Sequence, residues 1–213
     1  MSVERRRLRL IALCASTGGI EALRRLLGAL PAQTRTPLVV IQHRADDDLQ
    51  LLPRVLGATC ALPLADAEPL EPLRPGRVYL APAGYHLLLD RGPRLALSAD
   101  EKVCNVRPSA DVFLESAADV LGPGLLAVIL TGANEDGAAG LHRVRARGGL
   151  AWVQDPATAE APEMPAAALE RAGADRILSL EALPEALAQV VSRARRPRPA
   201  DTSVPPSPTG APP

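Results

Sequence analysis

The chain has 213 residues, of which 47% are hydrophobic and 2% aromatic, with 24 Lys+Arg balanced by 24 Asp+Glu. That length supports one good core and is short for two domains. The balanced charge gives no footprint for nucleic acid or a membrane surface, and the scarcity of aromatic rings argues against base-stacking platforms. Three cysteines (Cys14, Cys60, Cys104) show no metal-ligand spacing, and an odd count without a secretory signal fits a reducing cytosol. No apolar run approaches the ~20 residues of a membrane span, so direct membrane insertion is not expected. The amino end, MSVERRRLRL, has charge but no apolar h-region.

Leu8 to Leu13 reads as a buried strand, followed by a sharp turn and a helix that begins near Gly19. Ser16 stands in the turn among Ala15, Thr17, Gly18 and Gly19. A serine hydroxyl there is exposed beside main-chain N–H groups, as an activated nucleophile with an oxyanion hole requires. The same kind of turn also binds phosphate, but CASTGG is neither GxGxxG nor a P-loop. Apolar residues at Ala22, Leu23, Leu26, Leu27 and Leu30 make a helical stripe that Pro31 closes. Pro37 to Gln42 is a second buried strand ending at His43. Strand, helix and strand in this order form a right-handed βαβ unit, which puts Ser16 and His43 on one sheet edge.

Asp46 to Asp48 are expected to cap a helix over Leu49 to Leu56, and Cys60 to Leu64 is a short strand candidate. Glu68 to Gly76 carries Pro69, Pro72 and Pro75 and reads as a turn-rich connection before a strand at Arg77 to Ala81. Tyr85 to Asp90 and Arg94 to Ser98 read as a hairpin, expected to extend one side of the main sheet. A loop over Asp100 to Pro108 leads to a helix from a Ser109 cap to Leu121. Leu125 to Leu130 is the most apolar strand and runs into Thr131 to Gly137 and a helix to Arg147. Leu150 to Gln154 and Arg176 to Leu180 are the last strands; Met164 to Ala172 and Leu183 to Val191 are the last helices. Residues 1–194 are thus expected as one folded domain. The Pro-rich stretch 195–213, with almost nothing to bury, is expected as a disordered tail.

Ser16, His43 and Asp136 all follow strands, and their types are those of acyl transfer. The imidazole takes the hydroxyl proton, and a carboxylate holds the imidazole in the useful tautomer. The chain order Ser–His–Asp differs from that of α/β-hydrolases, and G-x-S-x-G is absent. Each residue has a plainer alternative: His43 as a polar residue leaving the core, Asp136 as the N-cap of the helix after it. Cys14 competes as a nucleophile but stands where a structural cysteine is expected. His86 is open between base, substrate contact and structural residue. His142, inside a helix beside arginines, reads as a surface residue.

The segments ALCASTGGIEAL, VVIQH, GRVYLAPAGYH, RPSADVFLESAA, AVILTGANEDGAAGL, AWVQDPATA and EMPAAALERAGADRIL, in order over Leu8 to Val191, resemble the catalytic domain of CheB-type protein-glutamate methylesterases. STGG, QH and LTG-x-x-x-DG together form a specific signature. The resemblance implies a doubly wound α/β fold: a mostly parallel sheet with helices on both faces and a β-hairpin extension. It also implies the triad Ser16, His43 and Asp136. The reaction would be hydrolysis of glutamyl methyl esters on the cytoplasmic helices of methyl-accepting chemotaxis receptors, with receptor glutamine deamidation as a second use of the site. Main-chain groups at Thr17, Gly18 and Ala133 would hold the oxyanion. Arg107 is the candidate contact to an acidic receptor helix, with a plain surface arginine as its alternative.

The chemistry needs no metal or organic cofactor. A receiver domain, common in the family, is not expected in a chain whose catalytic pattern starts at residue 8, which leaves constitutive activity, a separate regulatory partner, or a place in a chemosensory pathway that does not govern motility. Three departures stand out: Ala133-Asn134 where the family has LTGMG, Arg44 where an apolar residue follows QH, and Glu163-Met164-Pro165 in place of GMP. The competing reading is a non-catalytic or weakly active scaffold of a chemosensory pathway that keeps the fold, supported only by Ala133-Asn134. A nucleotide-binding module gives no reason for His43 and Asp136 to share the edge.

Overall fold

Runs of five or six residues without a charged side chain become strands buried on both faces, the pattern expected of a parallel sheet covered by helices. A computed structural model describes residues 8–44 and 51–193. The central strands are β1 (Leu10–Ala15), β2 (Leu38–Gln42), β7 (Leu125–Ile129) and β8 (Leu150–Gln154), buried throughout. The short strands β3 (Leu64–Asp66), β4 (Val78–Leu80) and β9 (Arg176–Leu178) complete a seven-stranded sheet of order β3-β4-β2-β1-β7-β8-β9. Every pairing in it is parallel.

Residues of alternate parity on each strand face opposite sides, so the sheet has two cores. Ile11, Leu13, Val40, Val128 and Trp152 pack with helices α1 (Gly19–Gly28), α2 (Leu51–Gly57) and α6 (Leu183–Arg193). Leu10, Ala12, Cys14, Ile41, Ala127 and Val153 pack with α3 (Ala110–Leu121), α4 (Ala138–Ala146) and α5 (Glu163–Ala172). The architecture is doubly wound α/β.

The hairpin forms as expected from β5 (His86–Asp90) and β6 (Arg94–Ser98), but it does not extend the main sheet. It is a separate two-stranded sheet. Leu87, Leu89 and Leu95 turn into the same core as Phe113 of α3, and Leu89 N donates to Ser116 Oγ at 3.1 Å. Burying that apolar face against α3 replaces pairing to a sheet edge. The third strand begins at Leu64, where the expected one ends. The expected cap Asp46 to Asp48 and the tail 195–213 lie outside the described residues.

From β1 the chain moves outward through β2 to β4 and β3, then returns to the other side of β1 as β7. The order therefore reverses beside β1, and open α/β sheets place ligands in the crevice at the carboxyl ends of the strands flanking such a reversal.

Candidate active site

Ala15 and Gln42 are paired at the ends of β1 and β2, so the next residues, Ser16 and His43, leave adjacent strands side by side. On the opposite flank of β1, Ser16 N donates to Thr131 O at 2.9 Å, which ties the serine turn to the loop after β7. Gly18 takes φ 74° at the N-cap of α1, a left-handed conformation that glycine adopts without a Cβ penalty. Gly132 is needed for space: a Cβ there would lie 2.8 Å from Ser16 Cβ and 2.5 Å from Met164 Sδ.

His43 Nε2 lies 2.7 Å from Asp136 Oδ2, with the two side chains 7% and 0% exposed. The carboxylate has no hydrogen to offer, so Nε2 carries the proton and Nδ1 presents a lone pair. Nδ1 is buried and has no partner among the described residues.

Asp136 does not cap the helix that follows it. The N-cap of α4 is Gly137, with no side-chain bond. The carboxylate instead docks on the amino end of α3, where it accepts from Ser109 Oγ (2.7 Å), Ala110 N (2.5 Å) and Asp111 N (3.1 Å). A helix amino end offers unpaired N–H groups and positive potential, the setting in which a buried anion is stable. Burial alone would raise the Asp136 pKa. The hydrogen bonds from His43, Ser109 and the Ala110 N–H outweigh burial and hold it below the ordinary carboxylate range.

His86 is 1% exposed and stands behind this arrangement. Its Nδ1 accepts from Ser109 N at 3.2 Å and its Nε2 donates to Glu101 O at 2.9 Å. Both ring nitrogens are therefore occupied, and the side chain braces the start of α3. Arg107 donates to the Ala99 and Asp100 carbonyls at 2.8 and 2.9 Å and so closes its own loop. Cys14 is fully buried, and burial, followed by the charges of Asp136 and Asp111, pushes its thiol pKa well up; it is no thiolate nucleophile. His142 is exposed, as its sequence context suggests.

The main-chain N–H groups of Thr17, Gly18 and Ala133 donate to no acceptor among the described residues. A depression of about 580 Å³ beside them is lined by Ser16, Thr17, Gly18, Gln42, Val55 and Glu160. Cys104, Asp111 and Asp136 bring ligand-type atoms within 4.8 Å of one another. Both Asp136 oxygens are already taken by α3 and His43, so their proximity follows from docking of Asp136 on that helix.

Several residues of the site are not evident from sequence reasoning. Ser109 is legible as a helix cap but not as a donor to Asp136. Gln154, at the end of β8, accepts from Thr131 N through Oε1 at 2.9 Å and donates to Thr158 O at 3.0 Å, which fixes the loop after β7. Arg44 is bonded to Asp66 Oδ1 (2.7 Å) and Ala81 O (2.8 Å) and links the end of β2 to the outer strands. A polar residue ending a buried strand is the signal that marks Gln42 and Gln154.

A doubly wound sheet with these groups at its reversal point is the framework of a hydrolase site. Residues 11–187 match the CheB methylesterase family, and the chain belongs to that family. A relative from Leptospira interrogans is 43% identical over 178 residues, 82% of this chain and 91% of its own. Protein-glutamate methylesterase/protein-glutamine glutaminase 2 of Koribacter versatilis is 37% identical over 88% of this chain, and protein-glutamate methylesterase FrzG of Myxococcus xanthus 38% over 85%. This chain spans 52% and 54% of those two proteins, about half of each. The crystal structure of the Thermotoga maritima CheB methylesterase catalytic domain superposes with a TM-score of 0.81 at 33% identity, covering 86% of this chain and 98% of that one.

Proposed function

We propose that the protein is a protein-glutamate methylesterase that hydrolyses glutamyl methyl esters on the cytoplasmic helices of chemotaxis receptors by a serine acyl-enzyme route. The observation that carries the reading is the His43–Asp136 pair. Its carboxylate is held as an anion by α3, while Nδ1 of the same imidazole is buried with its lone pair unused. Ser16 follows directly after Ala15, the strand partner of Gln42, so it leaves β1 beside the point where His43 leaves β2.

In this reading Nδ1 of His43 takes the Ser16 hydroxyl proton as Oγ attacks the ester carbonyl, and Asp136 stabilises the resulting imidazolium. The N–H groups of Thr17, Gly18 and Ala133 receive the oxyanion. His43 returns the proton to the departing methoxide, which leaves as methanol. Water, deprotonated by His43, then splits the acyl-enzyme to glutamate and free Ser16. An amide at the same carbonyl would release ammonia, so receptor glutamine deamidation uses the same groups. The scaffold reading leans on Ala133-Asn134, yet replacing the family's methionine with alanine leaves the main-chain donor in place. Among the described residues no helix is long and apolar enough to cross a membrane.

The test is methanol release from methylated receptor cytoplasmic fragments, comparing wild type with folded Ser16→Ala. Release by the wild type alone is expected. Equal release by Ser16→Ala refutes the assignment of the nucleophile, and no release by either refutes the activity.

A further inference from the structure

We propose that Gln42 is a positioning residue that locks the main chains of Ser16 and His43 together, a role that rests on the function proposed above. Its side-chain amide donates both hydrogens, one to Ser16 O at 2.9 Å and one to His43 O at 3.0 Å. The strand ladder stops at Ala15 and Gln42, with His43 N donating to Ala15 O at 3.0 Å. Beyond that point β1 turns into a helix and β2 into a loop, so parallel pairing no longer fixes their separation. The Gln42 amide replaces the missing rungs, bonding the residue that follows its strand partner Ala15 and the residue that follows Gln42 itself.

The amide has only one orientation. Turned over, Oε1 would face two carbonyl oxygens. In the observed orientation Oε1 is buried without a hydrogen-bond donor and sits over Gly19, 2.2 Å from where a Cβ would stand. The second glycine of STGG is therefore the slot that admits the Gln42 side chain, and the two sequence motifs of the site interlock through it. Gln42 is 6% exposed and also lines the depression beside Ser16, so it holds the reacting pair from below without being a catalytic residue. An unbonded buried oxygen is unfavourable for folding alone. An aliphatic side chain would fill the space without that cost, so the amide is kept for the two bonds its nitrogen makes.

The experiment uses Gln42→Met and Gln42→Glu. The first keeps length and bulk; the second keeps shape but offers an acceptor to both carbonyls, and serves if Gln42→Met does not fold. Methanol release gives kcat and KM, and NMR follows the His43 Nε2 proton shared with Asp136, which requires no turnover. A misplacement near 1 Å costs about 100-fold in rate, so kcat is expected to fall on the order of 100-fold with KM within about twofold, and the Nε2 proton to broaden and exchange faster. Wild-type kcat, or a wild-type Nε2 proton, in either folded variant overturns the clamp. If the wild type itself releases no methanol, the proposed function fails, and the Nε2 proton in Gln42→Met still decides the clamp.

Discussion

Asp111 is a buried carboxyl whose ionisation should cost this protein stability. It lies one residue into α3, 8% exposed, and Oδ1 accepts from Gly140 N at 2.7 Å. Burial raises its pKa from 3.8 to about 6, opposed by the Gly140 hydrogen bond and reinforced by the neighbouring Asp136 charge. A carboxyl whose pKa is raised on folding stabilises the fold only while protonated. The folded chain keeps its proton between about pH 4 and pH 6, where the unfolded chain has lost it, so stability falls across that window. A shift of roughly two units corresponds to about 3 kcal/mol, fully lost above pH 6. Asp111→Asn keeps the acceptor for Gly140 N and removes the charge. Urea unfolding of the two proteins should coincide near pH 4 and diverge by up to about 3 kcal/mol in favour of the variant at pH 7.5. For a chain of this length that is roughly 6–12 °C in Tm. A difference that does not change with pH, or a variant less stable at pH 7.5, refutes the reasoning.

Asp136 has the opposite sign: its pKa is lowered on folding, so its stabilisation is present above the ordinary carboxylate pKa and lost as pH falls through the lowered value. Ser109→Ala removes a donor to that carboxylate and the cap that accepts from Val112 N. The variant should lose about 1 kcal/mol at neutral pH and unfold at higher pH on acidification, read by circular dichroism; Ser109→Thr should restore both. Gly132→Ala drives a methyl group into Ser16 Cβ and Met164 Sδ, at about 1–3 kcal/mol. Its kcat should remain depressed when Met164 is also shortened to Ala, because the serine contact persists; recovery of kcat in the double variant would contradict this. Arg44→Met should cost about 2 kcal/mol by breaking charged hydrogen bonds to Asp66 and Ala81. A double-mutant cycle with Asp66→Asn should show the two changes to be non-additive.

The strands and the two helical layers were legible because uninterrupted apolar runs and 3.6-residue stripes report burial directly. The hairpin was legible as a hairpin but not in its position. Leu87, Leu89 and Leu95 carry the same alternation whether they face a sheet edge or α3, and only the competing apolar surface of α3 decides. Asp136 illustrates a different limit. Asp before Gly and a helix is the local pattern of a cap, and this aspartate does cap a helix, but α3 rather than α4, 25 to 27 residues away from the donors it meets. His86 and Arg107 were open between binding and structure. Their partners, a main-chain N–H and three carbonyls, are groups every residue carries, so no sequence pattern announces them. Gln42 and Gly19 sit in the quoted motifs but are far apart in the chain, and their steric fit appears only in three dimensions.

The bond from Thr131 Oγ1 to Thr17 O closes the serine turn with a residue 114 positions downstream. At ordinary synthesis rates of 5–20 residues per second, that residue is added roughly ten seconds after the serine. A chain still on the ribosome before β7 has emerged carries Ser16 in an unfinished turn, with no acid opposite His43. On the proposed mechanism, hydrolytic capacity therefore arrives late in the birth of each molecule, when the fold closes around β1, and a truncated chain that stops short of β7 should be inactive in a methanol-release assay.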